Sequence, residues 1–157
     1  MRERAKPYIA MNHKIIKRDY ALYHVGLKIL LKKGDDFLFL TVADGKEFDL
    51  PGGRIDDVEH TTPLTEIIAR EVGEELGENI KYKLGKPIFQ FRRHFENKGW
   101  HIFLTVYEAE YLSGEIQLSA EHSRYQWINP IKIDFKEENF FHKEEYLAFK
   151  KYFESLV

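Results

Sequence analysis

Cysteine is absent from the whole chain, which excludes disulfides and thiolate metal sites. Proline is scarce, five residues in 157, and no Ser/Gly/Pro tract divides the sequence. Nor is there an internal repeat or a low-complexity stretch. One domain is therefore expected over residues 21–157, preceded by a short polar arm over residues 1–20. No apolar run is long enough to cross a bilayer, and the charged opening Met1-Arg2-Glu3-Arg4-Ala5-Lys6-Pro7 lacks the apolar core of a signal peptide. An excess of one charge is missing too. Lys+Arg number 24 against 26 Asp+Glu, a net charge of -2, so composition gives no case for affinity to membranes or polymeric nucleic acid. A soluble cytoplasmic protein is the expectation.

What the chain does have is a large apolar share, 43% hydrophobic and 15% aromatic, enough for a sizeable core. Residues 23–31 alternate, with Val25, Leu27, Ile29 and Leu31 on one face of a strand. Lys33-Gly34-Asp35-Asp36 is a turn signal, and residues 37–42 read as the returning strand. After a loop at 43–46, Phe48-Asp49-Leu50 runs into a tight turn at Pro51-Gly52-Gly53. A helix follows, with Thr62 expected as its N-cap and Pro63 at the first helical position. Leu64, Ile68, Val72 and Leu76, with Ala69 nearby, form its core-facing stripe, and Gly77 suits the residue past its end. Residues 87–95 and 100–109 read as a hairpin around Glu96-Asn97-Lys98-Gly99, with Trp100, Ile102, Leu104 and Val106 sharing a face. Short strands are expected at 115–118 and 124–128. The tail at 142–156 reads as an amphipathic helix carrying Tyr146, Phe149, Phe153 and Leu156. Strands, helix, strands, helix imply an α+β fold built on a mixed sheet.

Glu71, Glu74 and Glu75 stand at i, i+3 and i+4, on one side of the first helix. Like charges at this spacing destabilise a helix by roughly 0.2–0.5 kcal/mol per pair, and the favourable Glu66–Arg70 pair offsets only part of that. A divalent cation would reverse the sign, and Mg²⁺ prefers such carboxylate oxygens. Taken alone, the cluster reads more readily as a solvated acidic face. Its flanks change the balance: Gly52-Gly53 precede the helix, Arg70 opens the cluster and Gly77 closes it.

These residues resemble the Nudix box, G-x5-E-x7-R-E-U-x-E-E-x-G-U, where U is a bulky aliphatic. Gly53 and Glu59 match its first part, and Arg70-Glu71-Val72-Gly73-Glu74-Glu75-Leu76-Gly77 its second. Residues 60–69 are ten where the pattern has seven, an insertion expected to lengthen the loop around His60-Thr61 and the first helical turn. Glu78 replaces the final aliphatic. Phe48-Asp49-Leu50-Pro51-Gly52-Gly53 upstream and Glu121-His122-Ser123-Arg124-Tyr125-Gln126-Trp127-Ile128 downstream are similar to segments that flank the box in the family.

The resemblance implies the Nudix fold, a mixed β-sheet sandwiched between α-helices, and hydrolysis of a nucleoside diphosphate linked to another moiety. It also implies Mg²⁺, or Mn²⁺, as cofactor. Gly53, through its carbonyl, Glu71, Glu74, Glu75 and Glu59 are the implied metal set. Glu71 is either a ligand or the base, Arg70 orients the glutamates, and Glu59 braces the loop or meets metal through water. Glu121 is a candidate base outside the box, with His122 weighed beside it. Of Arg92 and Arg93, which alternation sends to opposite faces, at most one is expected to meet a phosphate. Phe48, Phe91, Trp100, Tyr125, His24 and His101 receive no role. Specificity is expected from residues 56–61 and 88–101, and a homodimer is compatible with the family. Two rivals remain. Nudix-like isoprenyl diphosphate isomerases typically need a catalytic cysteine, which this chain lacks. A nucleotide-sensing Nudix-like module usually loses box glutamates, which this chain keeps.

Overall fold

The computed structural model describes residues 8–11, 14–17 and 19–157. Part of the expected polar arm lies outside them. Its described strands, β1 (Tyr8–Met11) and β2 (Lys14–Lys17), pair antiparallel as a two-stranded sheet of their own.

Strands β3 (His24–Lys33) and β4 (Asp36–Val42) form the predicted hairpin. They pair only beside the turn, Lys32 opposite Phe37 and Lys33 opposite Asp36. Beyond it they diverge, and the next stretch of chain fills the fork. β5 (Phe48–Asp49) pairs with β4 there, and β6 (Gly52–Arg54) pairs with β3. Between them Pro51 O accepts from Ile29 N–H at 2.9 Å. The far edge of β3 runs parallel to β8 (Trp100–Ser113), and β8 pairs antiparallel with β7 (Lys81–Phe95). The far edge of β4 takes β9 (His122–Ile128). Only Gly fits at Gly52: φ is +128°, and a Cβ there would lie 2.1 Å from Leu27 O.

Helices α1 (Leu64–Leu76) and α2 (Lys143–Ser155) cover the two faces of the sheet. Alternation sends Leu27, Ile29, Leu31, Leu38 and Leu40 to Ile67, Ile68, Val72 and Leu76 of α1. It sends Leu30, Phe37 and Phe39 the other way, to Phe91, Leu104, Phe140, Phe149 and Phe153 on the α2 side. The α+β, helix–sheet–helix expectation therefore holds. The one-faced reading of residues 23–31 does not: β3 is buried on both faces, and Val25, expected in its core stripe, is exposed.

Several local expectations are corrected. Thr62 is not the cap of α1. Pro63 holds the N-cap position without a side-chain bond, and its carbonyl accepts from Glu66 N–H and Ile67 N–H. Leu64 is 45% exposed and Ala69 is exposed. A strict four-residue step drifts about 40° around the helix per repeat, which carries Leu64 off the buried face, and Ile67 is buried instead. Leu156, placed in the apolar stripe of the tail, lies past the end of α2 and is exposed. Residues 115–118 form no strand. Gln117 N–H donates to Leu76 O at 2.9 Å and Ser119 N–H to Glu75 O at 3.2 Å, so this stretch satisfies the open carbonyls at the end of α1.

The α2 side of the core is aromatic. Phe149 is 2% exposed, with ring centroids 5.0 Å from both Phe89 and Phe140 and 5.8 Å from Phe39. Phe149→Ala is expected to destabilise the protein by about 3–5 kcal/mol. Leu147→Ala, at an exposed position of the same helix, should change stability by less than about 1 kcal/mol. Denaturant unfolding curves check both.

Candidate active site

The fork between β3 and β4, α1 and the start of β9 enclose a cleft of about 360 Å³. Its lining includes Lys28, Asp49, Gly53, Glu71, Glu75 and Glu121. α1 lies across the turn that carries the two glycines. Glu75 Oε2 accepts from Gly52 N–H at 2.8 Å. The Glu71 carboxylate rests on Gly53, where a Cβ would come within 2.4 Å of it. Glycine at 53 is thus the condition for this carboxylate to reach the turn.

Arg70 organises the outer side. Its Nε and Nη2 donate to the two oxygens of Glu59 at 2.9 and 2.6 Å. Its Nη1 donates to Glu71 Oε1 at 3.0 Å and to Glu74 Oε2 at 3.3 Å. Hydrogen bonds from Arg70 and from the Asp56 N–H lower the pKa of Glu59 below the ordinary value. The side-chain bond to Glu59 raises that of Arg70. Glu59 and Glu74 sit on this outer side, and Glu74, with 59% of its side chain exposed, faces solvent.

The inner side holds buried charge, including Lys28, Asp49 and Glu145, none of them assigned a role from sequence. Lys28 Nζ donates to Gly52 O at 2.7 Å, to Leu50 O at 2.9 Å and to Asp49 Oδ2 at 3.3 Å. Arg93 Nη2 donates to Asp49 Oδ1 at 3.1 Å and to Glu145 Oε1 at 2.6 Å, and Arg93 Nε donates to Glu145 Oε2 at 3.0 Å. His122 Nε2 lies 3.2 Å from Asp49 Oδ2. Burial alone would raise the pKa of Asp49. The Lys28 ammonium and Arg93 guanidinium, with His122, outweigh it and hold the carboxyl well below the usual range. Both arginines proposed for phosphate are thus engaged by carboxylates: Arg93 by Asp49 and Glu145, and Arg92 by Glu144 of α2 at 2.9 Å.

Lys28 and Arg93 balance Asp49 and Glu145, two charges against two. Glu75, only 4% exposed, is the fifth. Burial, opposed by Lys28 and reinforced by the Asp49 charge, pushes its pKa up to about 7. Burial also raises that of Glu71, against the pull of Arg70. Burial raises the proton affinity of both, and of the two only Glu71 has an ion-pair partner, Arg70, among the described residues. Glu121 closes the rim: one oxygen each of Glu75 and Glu121 and one nitrogen of His122 lie within 4.8 Å of one another.

Lys28 was visible in the sequence as a charge between Leu27 and Ile29 inside an apolar strand. Asp49 stood in the quoted Phe-Asp-Leu-Pro-Gly-Gly segment without a role.

A NUDIX domain model matches residues 22–149. Among solved structures, the MutT protein of Methanosarcina mazei Go1 is 23% identical, with a TM-score of 0.64 over 88% of this chain and 95% of that one. The MutT NUDIX hydrolase of Burkholderia pseudomallei is 21% identical, with a TM-score of 0.65 over 82% and 97%. An ADP-ribose pyrophosphatase of Streptococcus suis is 16% identical, with a TM-score of 0.59 over 86% and 92%. No curated protein sequence matches. At these identities the structural likeness speaks for the fold. The domain match spans most of the chain, and by it the protein belongs to the Nudix family.

Proposed function

We propose that the protein hydrolyses the diphosphate of a nucleoside diphosphate linked to a second moiety, with Mg²⁺ or Mn²⁺ bound in the cleft. The observation that carries this reading is the convergence of Glu71 and Glu75 on Gly52-Gly53 in a cleft whose other buried charges already balance. The donors fit a hard cation: a carboxylate oxygen of Glu75, with Glu121 beside it and the Gly53 carbonyl as the expected backbone ligand. When bound, such an ion neutralises diphosphate charge and lowers the proton affinity of water.

The chain's own residues do the rest. Glu75 is the inner ligand, oriented by the Gly52 N–H, and Lys28 fixes the turn from behind through the Gly52 carbonyl. Glu71, half-enclosed and raised in pKa, takes the proton of the attacking water. Arg70 holds Glu71 in place, and Glu59 in turn holds Arg70. Glu74 is an outer ligand. Glu121 stands close enough to Glu75 to join the ligands rather than to act as the base. The single domain over residues 21–157 and the cytoplasmic setting belong to the same proposal.

Glu75→Gln is expected to lower kcat/KM by about 100-fold or more, and Glu74→Gln by roughly 10-fold. The assay is a panel of nucleoside triphosphates, oxidised nucleotides, nucleotide sugars, ADP-ribose and dinucleoside polyphosphates, with product identification. ADP-ribose earns its place because the Streptococcus suis relative is an ADP-ribose pyrophosphatase. A chain that binds one of these tightly and turns over none would be a sensing module.

The pH dependence has a definite sign. Glu75 titrates near 7 in the fold against 4.5 when unfolded, so the native state binds its proton more tightly. Without metal, stability from this group is full below about pH 4.5 and is lost as pH rises through about 7. Glu71 and Glu145, also raised, add to the same trend. In thermal melts with EDTA, Glu75→Gln should therefore gain on wild type as pH rises from about 5 to 8. Added Mg²⁺ should restore wild type and not the variant. Parallel melting curves for the two proteins across this range would rule out the unbalanced buried carboxylate.

A further inference from the structure

His122 is a loop histidine in sequence and a core residue in the fold, with 3% of its side chain exposed. It sits at the first position of β9, beside the exposed Glu121. Its Nε2 meets Asp49 Oδ2 at 3.2 Å. Its Nδ1 is buried and has no hydrogen-bond partner. Asp49 is paired with Lys28 and Arg93 and offers Nε2 only acceptor oxygens, so Nε2 is the donor. That assignment follows from the partners, and in the neutral ring Nδ1 is then an acceptor without a partner. A buried lone pair without a partner is a standing cost. Nδ1 is also closed to bulk water, which argues against its serving as a general base. A dehydrated cation needs less room, since it sits about 2.0–2.1 Å from a nitrogen, where a hydrogen-bonded water sits about 2.9 Å away.

Three features coincide here. Glu75, Glu121 and His122 each offer a ligand atom, all within 4.8 Å of one another. A carboxylate, Asp49, holds the far nitrogen of the ring, which is the usual support of a metal-bound histidine, fixing its tautomer and raising its basicity. And the positive charge that Glu75 lacks is missing from the same place, because Lys28 and Arg93 are already matched by Asp49 and Glu145.

We propose that His122, through Nδ1, joins Glu75 and Glu121 in a mixed nitrogen–oxygen cation site, which shifts the cation preference of this chain from Mg²⁺ toward Co²⁺ and Zn²⁺. The inference rests on the reading of the cleft as the site of a cation-dependent hydrolase. It adds to that reading an imidazole ligand, which favours these ions and does little for Mg²⁺. His122 is then a ligand, and Asp49 is a positioning residue that acts through it.

The test uses the full chain without substrate. Calorimetric titration of wild type and His122→Gln with Co²⁺ and with Mg²⁺ should show Co²⁺ binding weakened by about 10-fold or more and Mg²⁺ binding by no more than about 2-fold. Pulsed EPR of bound Mn²⁺ should show ¹⁴N coupling in wild type and none in the variant. Should His122→Gln fail to fold, as judged by circular dichroism, the wild-type EPR signal decides alone. Wild type without nitrogen coupling, or equal weakening of both cations, overturns the assignment of His122 and leaves the hydrolase reading intact. A wild type that shows the coupling and the Co²⁺ preference but cleaves no diphosphate keeps this site and removes the hydrolase reading.

Discussion

Lys28 in the fork of the sheet is the constraint from which the site follows. A single buried ammonium ties together three pieces of the turn that fills the fork: the carbonyls of Leu50 and Gly52 and the carboxylate of Asp49. An uncompensated charge this deep would be ruinous, so Asp49 must be ionised and must stay beside it. Asp49 in turn fixes Arg93 of β7 and His122 of β9, and Arg93 fixes Glu145 of α2. Strands that diverge for want of pairing are thus held at a set separation by charge, and the gap between them is the cleft.

This arrangement explains why three cationic groups stand near the carboxylates without neutralising all of them. Lys28 and Arg93 are absorbed by Asp49 and Glu145 on the inner side. Arg70 is absorbed mainly by Glu59 and Glu71 on the outer side. Glu75 lies between, close enough to Lys28 to feel it and without an ion pair of its own among the described residues. Its helix neighbours Ile68, Val72 and Leu76 are core, so α1 cannot rotate to carry Glu75 to water. Packing holds the carboxylate where its charge is least comfortable, and that discomfort is available to a ligand of opposite sign.

The parts of this picture legible in the sequence are those that local signals specify. The turn at Gly34-Asp35, the hairpin at Gly99, both helices and the Glu71–Glu75 spacing each depend on residues a few positions apart. The illegible parts depend on partners far apart in the chain. Arg93 and Glu145 are 52 residues apart, and Asp49 and His122 are 73 apart. Alternation correctly split Arg92 from Arg93, yet nothing local told that each would meet a neighbouring glutamate of α2. The stretch at 115–118 misled for a related reason. Its alternating Ile116 and Leu118 do pack against the core on the α1 side, but its N–H groups are claimed by the end of α1, a partner that periodicity does not reveal.

The insertion before Arg70 shows how the box keeps its geometry at altered length. The phase of Glu71 and Glu75 is set from within α1, by Ile67, Ile68, Val72 and Leu76 against the sheet. It is set again at the C-terminal end, where Gly77 N–H donates to Gly73 O and residues 117 and 119 bond the last carbonyls. None of these constraints involves residues 60–63. Extra chain there lengthens the approach without turning the helix. Glu59 would be the residue displaced, and a short 3₁₀ turn, Asp57–Glu59, brings it back, with the Asp56 N–H donating to Glu59 Oε1 at 3.0 Å. Arg70 is long enough to accept it there through two parallel bonds. The spacing between Glu59 and Arg70 is free to vary because an arginine fork joins them across space, whereas the spacing within Arg70–Glu75 is not, because a helix joins them through the chain.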